Sequence, residues 1–168
     1  MNKVFSGRIF ADHYQFYISD AKADLFEKSL DWMADDRAKR GYISNGKTVY
    51  IGTRADLNDH WLNVYLSDRQ PDFDDCERAL AFNIVIESGQ IVIASPIDDI
   101  ALIDILAGDY VVYVLAYNLG VDQSSLNEAD EDLNDAEFEQ RTDLERYGIV
   151  LVPGIQHEGV VKGQNNLF

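Results

Sequence analysis

Cysteine is almost absent: Cys76 is the only one in 168 residues. A single thiol cannot close an internal bridge, so no disulfide framework holds this chain and a reducing compartment is permitted. Basic residues are also scarce, with 14 Lys and Arg against 30 Asp and Glu, for a formal charge of −16 and a pI near 4.3. A surface field of that sign repels DNA, RNA and anionic lipid, which excludes direct nucleic-acid binding as the expected activity. Long apolar runs are missing as well. The longest, Tyr110 to Tyr117, is about half of what a helix needs to cross a bilayer. The opening residues place Arg8 and then Asp12 where a secretory leader would carry its apolar core. The chain reads as a soluble cytoplasmic protein.

The motifs of common enzymes are not there either. There is no glycine-rich phosphate loop, no His-Glu-x-x-His helix, no paired cysteine set and no Gly-x-Ser-x-Gly elbow. His13, His60 and His157 lie far apart in sequence. The bland reading is that His13 and His60 flank strands and His157 lies in a tail. A non-enzymatic protein without a cofactor is expected. An enzyme whose site is assembled by folding from His13, His60 and Cys76 is an alternative.

What is present is a globular composition, 46% apolar and 26% charged. At this length a folded chain buries roughly 70% of the surface its unfolded form exposes, so one core suffices without metal or disulfide. Most periodic segments repeat every two residues. In Trp61–Leu66 the residues Leu62, Val64 and Leu66 share one face. Leu80–Ile86 repeats the pattern and, across Ser88-Gly89, predicts a hairpin with Ile91–Ala94. Asn45-Gly46 predicts a type I′ hairpin between 41–43 and 48–51. Tyr110–Tyr117 is apolar on both faces and belongs in the middle of a sheet. His13–Ile18 and Tyr147–Val152 complete the set. The expected fold is mainly β, an antiparallel β-sandwich of about eight strands. One helix, from about 23 to 40, should cap an edge or end, because Leu25, Phe26, Leu30, Trp32 and Met33 recur at helical spacing. A second helical stretch over 135–146 would have only Phe138 and Leu144 as anchors. The expected organisation is one domain over 1–155 with an acidic insertion at 119–146, followed by a loosely ordered tail, 156–168.

Charge is unevenly spread. Residues 1–84 carry 14 acids and 11 bases, whereas 85–168 carry 16 acids and 3 bases. Between Asp122 and Arg146 alone there are ten acids against Arg141 and Arg146, a net of −8 and half the charge of the chain. A loop this long inside a compact domain is typically functional or disordered. A row of carboxylates imitates the spacing and charge of phosphates, so it can enter the basic groove of a nucleic-acid enzyme and speed its capture. Glu128, Asp130, Glu131, Asp132, Asp135, Glu137 and Glu139 are the candidate partner contacts. The bland reading is a solvated loop that aids solubility. As an EF-hand, Asp130-x-Asp132-x-Asn134 fails, with Asp135 where glycine is needed and Arg141 where the bidentate glutamate belongs. A looser calcium cage from Asp72, Asp74 and Asp75 or from Asp98 and Asp99 defines the other alternative, a calcium- or lipid-binding sandwich resembling C2 domains.

The order of short motifs carries a resemblance. His13-Tyr14-Gln15-Phe16, Asp31-Trp32, Lys39-Arg40-Gly41-Tyr42, the Gly46 turn, Ala81-Phe82-Asn83-Ile84-Val85 with Ile91-Val92-Ile93, and Leu106-Ala107-Gly108-Asp109-Tyr110 resemble the competence protein J family over about residues 8–118. That family inhibits the bacterial DNA-entry nuclease. The resemblance implies a small acidic inhibitor or immunity protein whose basic partner is a nuclease, with room for a hetero-oligomer. The acidic block lies at and beyond the end of the matched region, so the target implied here need not be a DNA-entry nuclease.

Overall fold

The computed structural model describes residues 1–23, 40–56, 58–95, 100–121, 133–156 and 158–163. Residues 24–39 of the expected helix, the candidate calcium ligands Asp98 and Asp99, and the acids of 122–132 fall outside the described residues. Eleven strands and one short helix are described: β1 Asn2–Ala11, β2 Gln15–Asp20, β3 Tyr42–Ser44, β4 Thr48–Gly52, β5 Asn58–Leu66, β6 Arg78–Ile86, β7 Gln90–Ala94, β8 Ile100–Asp104, β9 Gly108–Tyr117, α1 Asp135–Gln140, β10 Arg146–Pro153 and β11 Gly159–Lys162. They build a six-stranded sheet in the order β1-β5-β10-β9-β6-β11 and a five-stranded sheet in the order β3-β4-β2-β7-β8. Pairing is antiparallel except between β5 and β10, which run parallel. The expected eight antiparallel strands thus become eleven in two sheets, one of them mixed.

Alternation explains how the sheets meet. Phe16 and Ile18 of β2, Val49 and Ile51 of β4, and Ile91 and Ile93 of β7 share one buried cluster with Leu62 and Val64 of β5, Phe82 and Ile84 of β6, Val112 and Val114 of β9, and Ile149 and Leu151 of β10. Rings bridge the layers edge-on at Phe16 and Tyr147 (5.2 Å, 68°) and stacked at Tyr42 and Phe82 (6.1 Å, 26°). Burying each such side chain contributes about 1.5–3 kcal/mol. β9 lies between β10 and β6, as its two-sided apolarity requires. Its outward residues Val111, Tyr113 and Leu115 join Cys76, Ala79, Ala81 and Val150 in a second cluster, with Phe73 of the 67–77 loop packed against it.

Three local expectations are corrected. β6 and β7 do not pair, because they belong to different sheets and the Ser88-Gly89 turn carries the chain from one layer to the other. Gly89 supplies φ 77°, while the Asp20 carboxylate accepts from the Glu87 and Ser88 amides at 2.7 and 2.9 Å and pins the corner. Ile86 and Ile91 consequently face each other's layer across the core rather than lying side by side. At the β3–β4 turn, positive φ falls on Gly46 alone (86°). A I′ turn needs two such residues, so the expected I′ geometry does not form there. His13 and Tyr14 do not lie in a strand. They form the corner between β1 and β2 with φ of 54° and 58°, held by His13 Nδ1 to Asp12 Oδ2 at 2.6 Å and by the Tyr14 amide to Asp56 Oδ1 at 2.8 Å. Within the expected tail, residues 159–162 pair with β6 as β11.

Candidate partner-binding surface

The described end of the acidic block is a helix that buries one ring, Phe138, against the molecule. Asn134 caps α1: its side chain accepts from the Glu137 amide at 3.1 Å, and the Glu137 carboxylate accepts from the Asn134 amide at 3.0 Å. This reciprocal box, with Asp135 and Glu137 in the first turn against the helix dipole, lets six residues stay helical. Phe138 is the buried residue of α1. It packs with Trp61 and Leu144 in a small cluster, its ring 6.1 Å from that of Trp61. The two anchors read from sequence, Phe138 and Leu144, are both buried, although the helix ends at Gln140 rather than at 146.

Arg8 of β1 is the clamp beneath this helix. Its guanidinium lies 4.5 Å over the Phe138 ring, donates to the Leu133 carbonyl, and pairs with Asp135 at 2.8 Å and Asp59 at 3.5 Å. Glu139 meets Lys3 at 3.7 Å and accepts from Ser6 Oγ at 3.3 Å. Asp135 and Glu139 thus lie beside β1, while Glu137, two positions from each on the helix, holds only the cap; all three are exposed and each already has an internal contact. Such ion pairs are exposed and contribute little to stability. They leave carboxylate oxygens facing solvent and fix where the charge points. Glu128, Asp130, Glu131 and Asp132 lie outside the described residues.

Glu145 belongs to the same sequence block and does something different. It is 1% exposed, and its carboxylate accepts from the backbone amides of Arg54 (2.9 Å), Ala55 (2.8 Å) and Gly120 (2.7 Å) and from the Tyr147 hydroxyl. Its carbonyl lies 3.1 Å from His60 Nδ1. Burial beside this carboxylate pushes the Tyr147 hydroxyl well above its ordinary pKa. Asn118, in the left-handed region at φ 52°, donates to the Leu144 carbonyl at 3.1 Å and to that of Thr142, which closes the 118–145 excursion at its base.

The residues of the assembled-enzyme alternative do not converge. His13 is exposed at the β1–β2 corner, His60 is buried edge-on to Tyr147 at 5.6 Å, and Cys76 donates to the Phe73 carbonyl within the outer apolar cluster, where burial pushes its thiol up. Asp72, Asp74 and Asp75 are exposed on the 67–77 loop, with Asp72 Oδ1 accepting from the Asp74 amide at 2.9 Å. Among the described residues no three His, Cys, Asp or Glu side chains converge on a point that would hold a metal ion, and no helix is long and apolar enough to cross a membrane. Pattern reading missed that Asp72, Asp75 and Glu77 border a groove on the outer sheet face with Tyr65 and Tyr117. Five acids within residues 68–77 were the available signal.

A family model described as Competence protein J (ComJ) matches residues 8–141. Two solved structures share the fold. ComJ from Bacillus subtilis, described as an inhibitor of the DNA degrading activity of NucA, superposes with a TM-score of 0.67 at 12% identity, covering 91% of this chain and 98% of that one. A protein described as Crocagin biosynthetic gene J superposes with a TM-score of 0.56 at 17% identity, covering 92% of this chain and 100% of that one. No curated protein sequence matches.

Proposed function

The chain belongs to the competence protein J family, and from that premise we propose that it is a protein inhibitor of a nuclease, acting by occlusion and not by catalysis. The observation that carries this reading is the family match over residues 8–141 together with the fold shared with an inhibitor of NucA. The net charge of −16 suits a partner whose active site is lined with the Lys and Arg that hold phosphates. Carboxylates of the acidic block take the place of phosphates there, and aromatic contacts exclude water and slow dissociation. Glu128, Asp130, Glu131, Asp132, Asp135, Glu137 and Glu139 are the acidic contacts in this reading. The last three are exposed on α1, and Asp135 and Glu139 tie that helix to β1 through Arg8 and Lys3.

The test is recovery of a nuclease from the source cell on the immobilised full chain, followed by titration of the free protein into the recovered activity. DNA degradation should stop at stoichiometric inhibitor. The triple variant D130N/E131Q/D132N should associate about tenfold more slowly and with a flatter salt dependence. Replacing the whole of 122–146 would be a poor variant, because it removes Phe138, Leu144 and Glu145, all buried. Recovery of no nuclease at low or physiological salt overturns the inhibitor reading.

A further inference from the structure

On the outer face of the six-stranded sheet, next to α1, lies a groove of about 580 Å³; Ser6 links its Asn63 to Glu139 of the helix. The groove is centred on Gly148. Across the registers of β5, β10 and β9, Gly148 lies between Asn63 and Leu115, with the Tyr65-Val150-Tyr113 row on one side and the Trp61-Arg146-Tyr117 row on the other. A residue without a side chain in the middle of such rows leaves a depression. Nothing else asks for glycine at this position. Gly148 is not among the residues with positive φ, and a Cβ there would meet Leu115 at 3.7 Å and Tyr117 at 3.8 Å, which is ordinary contact.

The lining has a definite chemistry. Asp72, Asp75 and Glu77 of the 67–77 loop stand exposed at its rim, outnumbering the two lining residues that carry a cation, Arg146 and Met1 with its amino terminus. Tyr65 and Tyr117 supply ring surface, and Leu115 and Val150 an apolar floor. Asn63, 9% exposed, lines the groove; its Oδ1 accepts from Ser6 Oγ at 2.7 Å, and its amide nitrogen has no hydrogen-bond partner among the described residues. Acceptors on the rim, an unspent donor on the floor and aromatic walls complement a peptide that offers a carbonyl to Asn63 and a planar cation to the carboxylates and rings. A guanidinium fits better than an ammonium, because it forks to carboxylates and stacks on tyrosine.

We propose that this groove receives an arginine side chain carried on an exposed segment of the nuclease partner, as a second contact beside the one made by the acids of the block. The inference rests on the inhibitor reading for its partner but not for its chemistry. It is tested on the intact, isotope-labelled chain with capped Gly-Arg-Gly, Gly-Lys-Gly and Gly-Glu-Gly peptides at low salt. The arginine peptide should move the Tyr65 and Tyr117 ring resonances saturably, more tightly than the lysine peptide and about tenfold more tightly than the glutamate peptide. D72N/D75N/E77Q should weaken it about tenfold, and Gly148→Leu, which fills the groove without changing charge, should abolish it. Equal response to the glutamate peptide, shifts scattered over the acidic surface, or undiminished binding to Gly148→Leu overturns the proposal. Should Gly148→Leu disturb the sheet, the charge variant on the exposed loop decides. With a recovered nuclease the two readings separate. If Gly148→Leu inhibits as well as the parent chain, the groove fails and the inhibitor stands; if the parent captures no nuclease, the inhibitor reading fails and the peptides still judge the groove.

Discussion

Asp135 and Glu145 lie ten positions apart in one acidic run, and the fold treats them in opposite ways. Asp135 keeps its side chain 78% exposed and touches Arg8; Glu145 is 1% exposed and gathers three backbone amides and a tyrosine hydroxyl. What differs is where each carboxylate meets unsatisfied donors. The amides of Arg54, Ala55 and Gly120 come from two turns with no strand partner for them, and a buried amide without an acceptor is costly. One carboxylate satisfies all three. Acidity in this block therefore serves two ends, display at α1 and closure at the start of β10.

The sharpest way to break that contrast is Glu145→Gln. The amide keeps the shape but turns an NH2 group toward groups that are all donors, so unfolding free energy should fall on the order of 4 kcal/mol. Urea unfolding at constant m-value measures it. A loss no larger than that of Asp135→Asn would mean the buried carboxylate is not what joins these turns.

The same contrast marks how much could be read from sequence. Strands β5, β9 and β10 were legible because alternation, or apolarity on both faces, is a local property. Which sheet each strand joins was not. Ser88-Gly89 announces a turn, yet whether the chain folds back in plane or crosses between layers depends on Asp20, more than sixty residues earlier, meeting the Glu87 and Ser88 amides. β1 escaped notice because Ser6, Gly7 and Arg8 interrupt its apolar pattern, and β8 and β11 are only 5 and 4 residues long. On the surface, Phe138 and Leu144 could be named as anchors from one apolar residue amid charge. Glu145 could not be told from its neighbours, since its donors at Arg54 and Ala55 are 91 and 90 residues away. Gly148 looked like any glycine in a strand until the registers placed it between Asn63 and Leu115.

Asp20 extends the comparison to a carboxylate of intermediate standing. It is 4% exposed and accepts from Lys22 at 2.8 Å as well as from Glu87 and Ser88. Burial works to raise its pKa, but the amides of Ser88, Lys22 and Glu87 outweigh that and hold it below the ordinary 3.8. The folded state thus keeps this carboxylate ionised where the unfolded chain would protonate it. Its stabilisation is whole above the unfolded value and is lost as pH falls through the folded one. Asp20→Ala should cost about 2 kcal/mol at neutral pH, half the Glu145 effect. Asp20→Asn should flatten the decline in stability below about pH 4. An acid limb identical to that of the parent would assign the decline to other groups.

The smallest stability effect belongs to the displayed acids, and it carries the most for function. Asp135→Asn and Glu139→Gln each remove one exposed ion pair, with Arg8 and Lys3 respectively. Pairs of this kind contribute roughly 0–1 kcal/mol, so melting should barely move, and α1 should stay seated through Phe138, which is 1% exposed. If these carboxylates face the nuclease, however, the double variant should slow association several-fold while leaving dissociation nearly unchanged, because charges at the edge of an interface act mainly on encounter. Freeing Lys3 adds to that effect, and so does leaving Arg8 with Asp59 alone, since both cations would then be less neutralised before a basic partner. Stopped-flow association at two salt concentrations separates the outcomes. A slower rate that converges with the parent at high salt identifies α1 as part of the steering surface. An unchanged rate at low salt would confine steering to the acids outside α1 and leave the helix as the closure of its own loop.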